Sequence, residues 1–162
     1  EKTTGIVTYG REKFNADNPG TPIDSDEFGP AFGINQDTSN STWKGNINWE
    51  IRTRDTLRLF TYKGTRVSSG TGSNKVSTQY GIDWKHDWSE RIRSNLGYLG
   101  ATEDYTGIVR SDDLVSYYLF VSYKFRRNIL LRGDYNYQER DSNIEGNDYD
   151  RNRYSLFLDW EL

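Results

Sequence analysis

In the stretch VSYYLFVSYKF, residues 115–125, every second side chain is apolar or aromatic. Val115, Tyr117, Leu119, Val121, Tyr123 and Phe125 share one face, and Ser116, Tyr118, Phe120, Ser122 and Lys124 share the other. A helix would scatter these residues around its axis, whereas a strand, with its side-chain period of two, gathers them. After Arg126-Arg127-Asn128 the pattern resumes: Ile129, Leu131, Gly133, Tyr135 and Tyr137 oppose Leu130, Arg132, Asp134, Asn136, Gln138 and Arg140. The two runs predict a hairpin.

The same period recurs along the chain. Trp43, Ile47, Trp49 and Ile51 alternate with Lys44, Asn46, Asn48, Glu50 and Arg52, and Val76, Tyr80, Ile82 and Trp84 with Ser77, Gln79, Asp83 and Lys85. Residues 57–66 and 91–102 are less regular, because Thr61 and Lys63 dilute one face and Leu99 interrupts the other. The chain closes with Tyr154, Leu156, Leu158, Trp160 and Leu162 against Arg153, Ser155, Phe157, Asp159 and Glu161. Seven strands are therefore expected from residue 42 onward. Gly5–Phe14 and Phe28–Ile34 are further candidates, which makes nine. An odd count would leave the N-terminus of a single-chain bacterial barrel outside the cell, so either the first segment does not span or strands precede this chain. The three prolines lie at 19, 22 and 30, leaving the rest free to be sheet.

Connections carry equal weight. Short turns are expected near Thr53–Thr56, His86–Glu90 and Arg126–Asn128, and long polar links near Ser68–Lys75, Glu103–Asp113 and Asp141–Asp150. Short periplasmic turns alternating with long extracellular loops are the rhythm of an outer-membrane barrel. The expected fold is thus all-β: an antiparallel transmembrane β-barrel of about 8 to 10 strands, a single domain over 1–162, with the role of residues 1–41 open.

Composition narrows the alternatives. Only 33% of residues are hydrophobic and 28% are charged, which in a soluble chain points toward a thin core or disorder, yet aromatics reach 15%, far above what disordered segments carry. No apolar run is long enough for a spanning helix, which needs about 20 residues, but a spanning strand needs only about 9 to 11 and shows no such run. There is no Cys, hence no disulfide framework and no thiolate metal site. There is no Met either, so Glu1 is not a translation start, which implies a removed signal peptide or a longer parent chain. A net charge of -3 with both signs interleaved offers no field to recruit nucleic acid.

A soluble barrel hides its apolar face and a membrane barrel presents it to lipid. Tyr and Trp at nearly every inward position would overpack a small soluble barrel, whereas a lipid-facing girdle accepts them. Trp43, Trp84, Tyr98, Tyr123, Tyr137, Tyr154 and Trp160 are the expected girdle, toward the strand ends of the apolar face. Glu50, Arg52, Arg58, Asp83, Lys85, Arg93, Arg132, Asp134, Arg140, Arg153 and Asp159 are the expected lumen lining, with both signs in roughly matched number.

Other features read as scaffold. His86, the lone histidine, is expected as an ordinary exposed turn residue with no specified partner, so no catalytic group and no enzyme are expected. Asp104, Asp112, Asp113, Asp141, Glu145, Asp148 and Asp150 read as solvated loop acids without calcium-loop spacing, and SSGTGSN at 68–74 as a flexible loop tip. No cofactor or metal is expected.

The ending YSLFLDWEL is similar to the C-terminal signal that the barrel assembly machinery reads, with Leu162 where Phe is commonest. Together with the polar strands, RGDYNYQERDSN (132–143) and RNRYSLFLDWEL (151–162) make residues 42–162 resemble the putative β-barrel porin 2 type of outer-membrane protein. Members of that type are usually longer than this chain, and several are encoded with exopolysaccharide synthesis and export systems. The resemblance implies the C-terminal half of a larger barrel in the bacterial outer membrane that passes a polar solute or polysaccharide through a charged lumen. The alternative is a closed small barrel that acts as an anchor or adhesin through its loops. Implied partners are outer-membrane lipid and lipopolysaccharide, the assembly machinery, and a polysaccharide or periplasmic export components.

Overall fold

A computed structural model describes residues 2–14, 38–67, 74–106 and 108–161. Their eight strands are β1 (Lys2–Phe14), β2 (Thr38–Arg52), β3 (Asp55–Val67), β4 (Asn74–Asp87), β5 (Ile92–Tyr105), β6 (Ser111–Arg126), β7 (Ile129–Ser142) and β8 (Tyr149–Trp160). They form one antiparallel sheet in chain order, β1 to β8, with no helix among the described residues. β-branched and aromatic side chains at every second position favour this extended pairing.

The first candidate segment is a strand after all: β1 pairs with β2 along its whole length, from Lys2 opposite Glu50 to Phe14 opposite Thr38. The expected strand at 28–34 and the loop tip at 68–73 lie outside the described residues. The eight described strands place both ends of the described sheet at the rim of the short turns.

The links are tighter than the sequence suggested. Residues 53–54, 88–91 and 127–128 join the strands at one rim, and 106–110 and 143–148 join them at the other. Runs rich in Asp, Thr and Ser that resemble loop are therefore strand: Asp104 belongs to β5, Asp112 and Asp113 to β6, Asp141 to β7 and Asp150 to β8. Backbone pairing with a neighbour overrides the weak strand propensity of these residues.

Register sorts the side chains across the whole sheet. Trp49 lies opposite Leu57, Leu57 opposite Trp84, Trp84 opposite Leu96, Leu96 opposite Leu119, Leu119 opposite Tyr135 and Tyr135 opposite Tyr154. One face is thus apolar and aromatic from β2 to β8. Ala101 is the only buried apolar residue among those described, while Leu156 is 74% and Trp160 64% exposed. The sheet has no conventional hydrophobic core.

Glycines let rings lie flat on it. A Cβ on Gly81 would meet the Phe60 ring at 2.3 Å and the Tyr98 carbonyl oxygen at 2.7 Å, and one on Gly97 would meet the Tyr118 ring at 2.1 Å. Gly81→Ala is expected to destabilise the fold by about 1–3 kcal/mol, since a backbone atom cannot step aside as a side chain can. Gly133, with nothing within 4 Å of its Cβ position, should accept Ala with little cost; urea titration of both variants in lipid checks the contrast.

Candidate functional site

The face opposite the apolar one is charged. Glu50, Arg58, Asp83, Lys85, Arg93, Arg132, Asp134, Arg140, Arg153 and Asp159 all fall on it by register. Arg52 is the exception: a register shift between Glu50 and Arg52 sets it opposite Asp55, whose neighbours Leu57 and Leu59 belong to the apolar side. The extra residue in β2 breaks the alternation there.

Ion pairs stitch this face across strands. Arg58 of β3 binds Asp83 of β4, Arg93 of β5 binds Asp87 of β4 at 2.5 Å, and Arg132 of β7 binds Asp159 of β8 at 2.9 Å. Rings lie beneath several of the cations, with Arg58 over Phe60 at 5.2 Å, Arg132 over Phe157 at 5.3 Å and Arg140 over Tyr149 at 5.2 Å. Each ring gives its cation an electron-rich face to rest against.

The tightest cluster sits at the rim of the longer links. Glu103 and Asp112 lie directly opposite each other on β5 and β6, and both are buried, Asp112 completely. Two facing carboxylates repel unless cations intervene. Lys75 Nζ lies 2.7 Å from Glu103, and Arg110 donates from Nε and Nη2 to Asp112 at 2.9 and 2.6 Å. Arg140 reaches both acids, at 4.0 Å and 3.7 Å, and Ser142 donates its hydroxyl to Asp112 at 2.6 Å. Arg110 lies outside the strands, and its hydrogen bonds to Asp112 push the guanidinium pKa further above its already high ordinary value. Of this cluster only Arg140 was expected in the lining; Lys75, Glu103 and Asp112 looked like loop. The available signal was period two continuing through Lys75, Ser77 and Gln79 and through Ala101, Glu103 and Tyr105.

Buried side-chain atoms without a hydrogen-bond partner are Asn46 Oδ1, Asp83 Oδ1, Asn95 Oδ1, Arg132 Nε and Arg140 Nε among the described residues. All of them stand on the charged face.

The opposite face carries Trp43, Trp84, Tyr98, Tyr123, Tyr137, Tyr154 and Trp160, the residues expected as girdle. Its tyrosines form a ladder across four strands: Tyr80 to Tyr98 at 6.1 Å, Tyr98 to Tyr117 at 5.2 Å and Tyr117 to Tyr137 at 6.2 Å between ring centroids. Tyr98 and Tyr137, expected toward strand ends, lie within their strands, because β5 and β7 run on past them to Tyr105 and Ser142.

His86 is a further correction. It belongs to β4, not to a turn, and its half-buried ring pairs through Nδ1 with Asp55 Oδ1 at 2.6 Å. Trp84 Nε1 donates to the same oxygen at 3.2 Å, and Trp88 meets the imidazole edge-on at 4.4 Å. Register brings Asp55 opposite His86, a relation invisible in the residues around the histidine. The pair is packed between two indoles on the apolar face, with no nucleophile in the contacts it makes, and serves as a polar clasp between β3 and β4.

A family model described as Putative beta-barrel porin 2 matches residues 34–161. No curated protein and no solved structure matches the chain.

Proposed function

Because the chain belongs to the putative beta-barrel porin 2 family, we propose that it forms part of the wall of an outer-membrane channel. The apolar face contacts lipid, and the charged face lines a wet lumen that passes a polar solute, a polysaccharide among the candidates. One observation carries the reading: register gathers apolar and aromatic side chains on one face from β2 to β8 and charged ones on the other, the arrangement of a wall between lipid and water. The apolar face, with Leu156 and Trp160 largely uncovered, suits hydrocarbon in place of a core. In this setting the girdle residues meet lipid and lipopolysaccharide, and the barrel assembly machinery delivers the chain to the membrane.

Strand number supports a second reading. β1 and β8 are the edges of the described sheet, and a sheet in hydrocarbon must pair its edges. If β1 pairs with β8, the barrel has eight strands, its interior is filled by side chains, and the protein acts as an anchor or adhesin through its extracellular loops. If further strands join, the lumen opens. Full-length protein extracted from membranes in detergent and added to a planar bilayer decides between them: the channel reading expects stable single-channel steps. An inserted, heat-modifiable barrel that never conducts would overturn that reading in favour of the closed barrel.

A further inference from the structure

We infer that the channel is anion-selective and that its solute is anionic, an inference that rests on the channel reading above. The chain as a whole is acidic, with a net charge of -3, yet register divides its two signs unequally between the faces of the described strands. On the charged face no strand carries more acids than cations, and β3, β7 and β8 carry more cations. β3 contributes Arg58 and Arg66 with no acid, β7 Arg132 and Arg140 against Asp134, and β8 Arg151 and Arg153 against Asp159. Apart from Arg126, which a register shift sets opposite Ile129, the opposite face of β5 to β8 has only acids: Asp104, Asp113, Glu139, Asp141 and Asp150. The lining anticipated from sequence as balanced is therefore cationic.

Pairing sharpens the imbalance. Asp83, Asp87, Glu103, Asp112 and Asp159 each have a cation within 4.0 Å, and Glu103, Asp87 and Asp112 each have two. Lys44, Arg66, Lys124, Arg151 and Arg153 have no acidic partner among the described residues, against Glu12, Glu50 and Asp134 without a cation. Arg151 instead donates to the neutral Gln138 side chain, which leaves its charge uncompensated. Cations held on low-dielectric walls raise the local concentration of anions and lower that of cations. Arginine also offers paired donors to carboxylate, sulfate or phosphate, so small inorganic anions and acidic polysaccharides share the chemistry that this wall recognises.

The test is the reversal potential of single channels of the full-length protein in a tenfold potassium chloride gradient. Chloride should be favoured over potassium by at least about threefold at low salt, with the preference shrinking toward 1 M, where the screening length falls to about 3 Å. The double variant Arg151→Glu, Arg153→Glu should bring the ratio close to one; should it fail to assemble, Lys44→Gln with Lys124→Gln, both exposed, should lower the ratio while the steps persist. Polygalacturonate is then added to one side, with neutral dextran as control. Block by the polyanion alone supports an acidic polymer as the solute, and anion selectivity without block supports small anions. Cation-selective or unselective steps overturn the inference while leaving the channel reading intact, and the absence of steps overturns both.

Discussion

Leu119→Arg is expected to cost about 1–3 kcal/mol of folding stability in lipid, the penalty for a guanidinium inside a barrel's lipid-facing band but short of its centre. Leu119 lies on β6 between Leu96 and Tyr135, within the apolar face and two positions from the tyrosine ladder at Tyr117. From Tyr117 to Phe125 the strand covers about 26 Å at roughly 3.3 Å per residue, which, less the strand tilt, suits the apolar thickness of an outer membrane. Two companion variants give the prediction its force. Ser122→Glu places a charge on the other face of the same strand, between Arg93 and Arg132, and should change stability by no more than about 0.5 kcal/mol. Val115→Arg lies on the same face as Leu119 but beyond the ladder, opposite Glu139, and should cost only about 0–1 kcal/mol. Urea titrations in lipid vesicles read all of them. A cost at Val115 equal to that at Leu119 would contradict a lipid boundary at the tyrosines, because a soluble core has no depth gradient of this kind.

What the sequence made legible was whatever period two alone could specify. The apolar run from Val115 to Phe125, the alternation in Tyr154 to Trp160 and the turn at 127–128 identified strands, and the residues expected as girdle share one face. Relations between strands were out of reach, since they depend on register. Asp55 and His86 are far apart in the chain and meet only because β3 and β4 pair as they do. Arg52 was misassigned because one extra residue in β2 cannot be recognised without its partner strand. Asp112 and Asp113 looked like one acidic loop, yet adjacent residues of a strand face opposite ways, and the two acids have opposite circumstances. That same blindness hid the charge imbalance, since cations and acids near the strand ends could not be attributed to a face.

Those two aspartates provide the sharpest contrast between neighbouring positions. Asp112→Ala removes a fully buried carboxylate that accepts hydrogen bonds from Arg110 and Ser142. Arg110 and Arg140 then remain with Lys75 around a single acid, Glu103, so like charges crowd where opposite charges alternated. Breaking a buried pair costs about 3–5 kcal/mol; the guanidiniums here are 18% and 23% exposed and Glu103 is relieved of a facing carboxylate, so about 2–3 kcal/mol is expected. Asp113→Ala, one residue along, should do almost nothing or stabilise slightly. Its side chain lies opposite Asp141 on the other face and accepts only a hydroxyl hydrogen bond from Thr102 at 3.0 Å. Removing one of two facing acids relieves a repulsion worth a few tenths of a kcal/mol, about what the lost hydrogen bond contributes. Equal losses at 112 and 113 would mean that the Lys75, Arg110 and Arg140 cluster does not hold this rim together. A large loss at 112 alone, eased by a second substitution Arg110→Gln, would show that the cost is the stranded cation and not the missing side-chain volume.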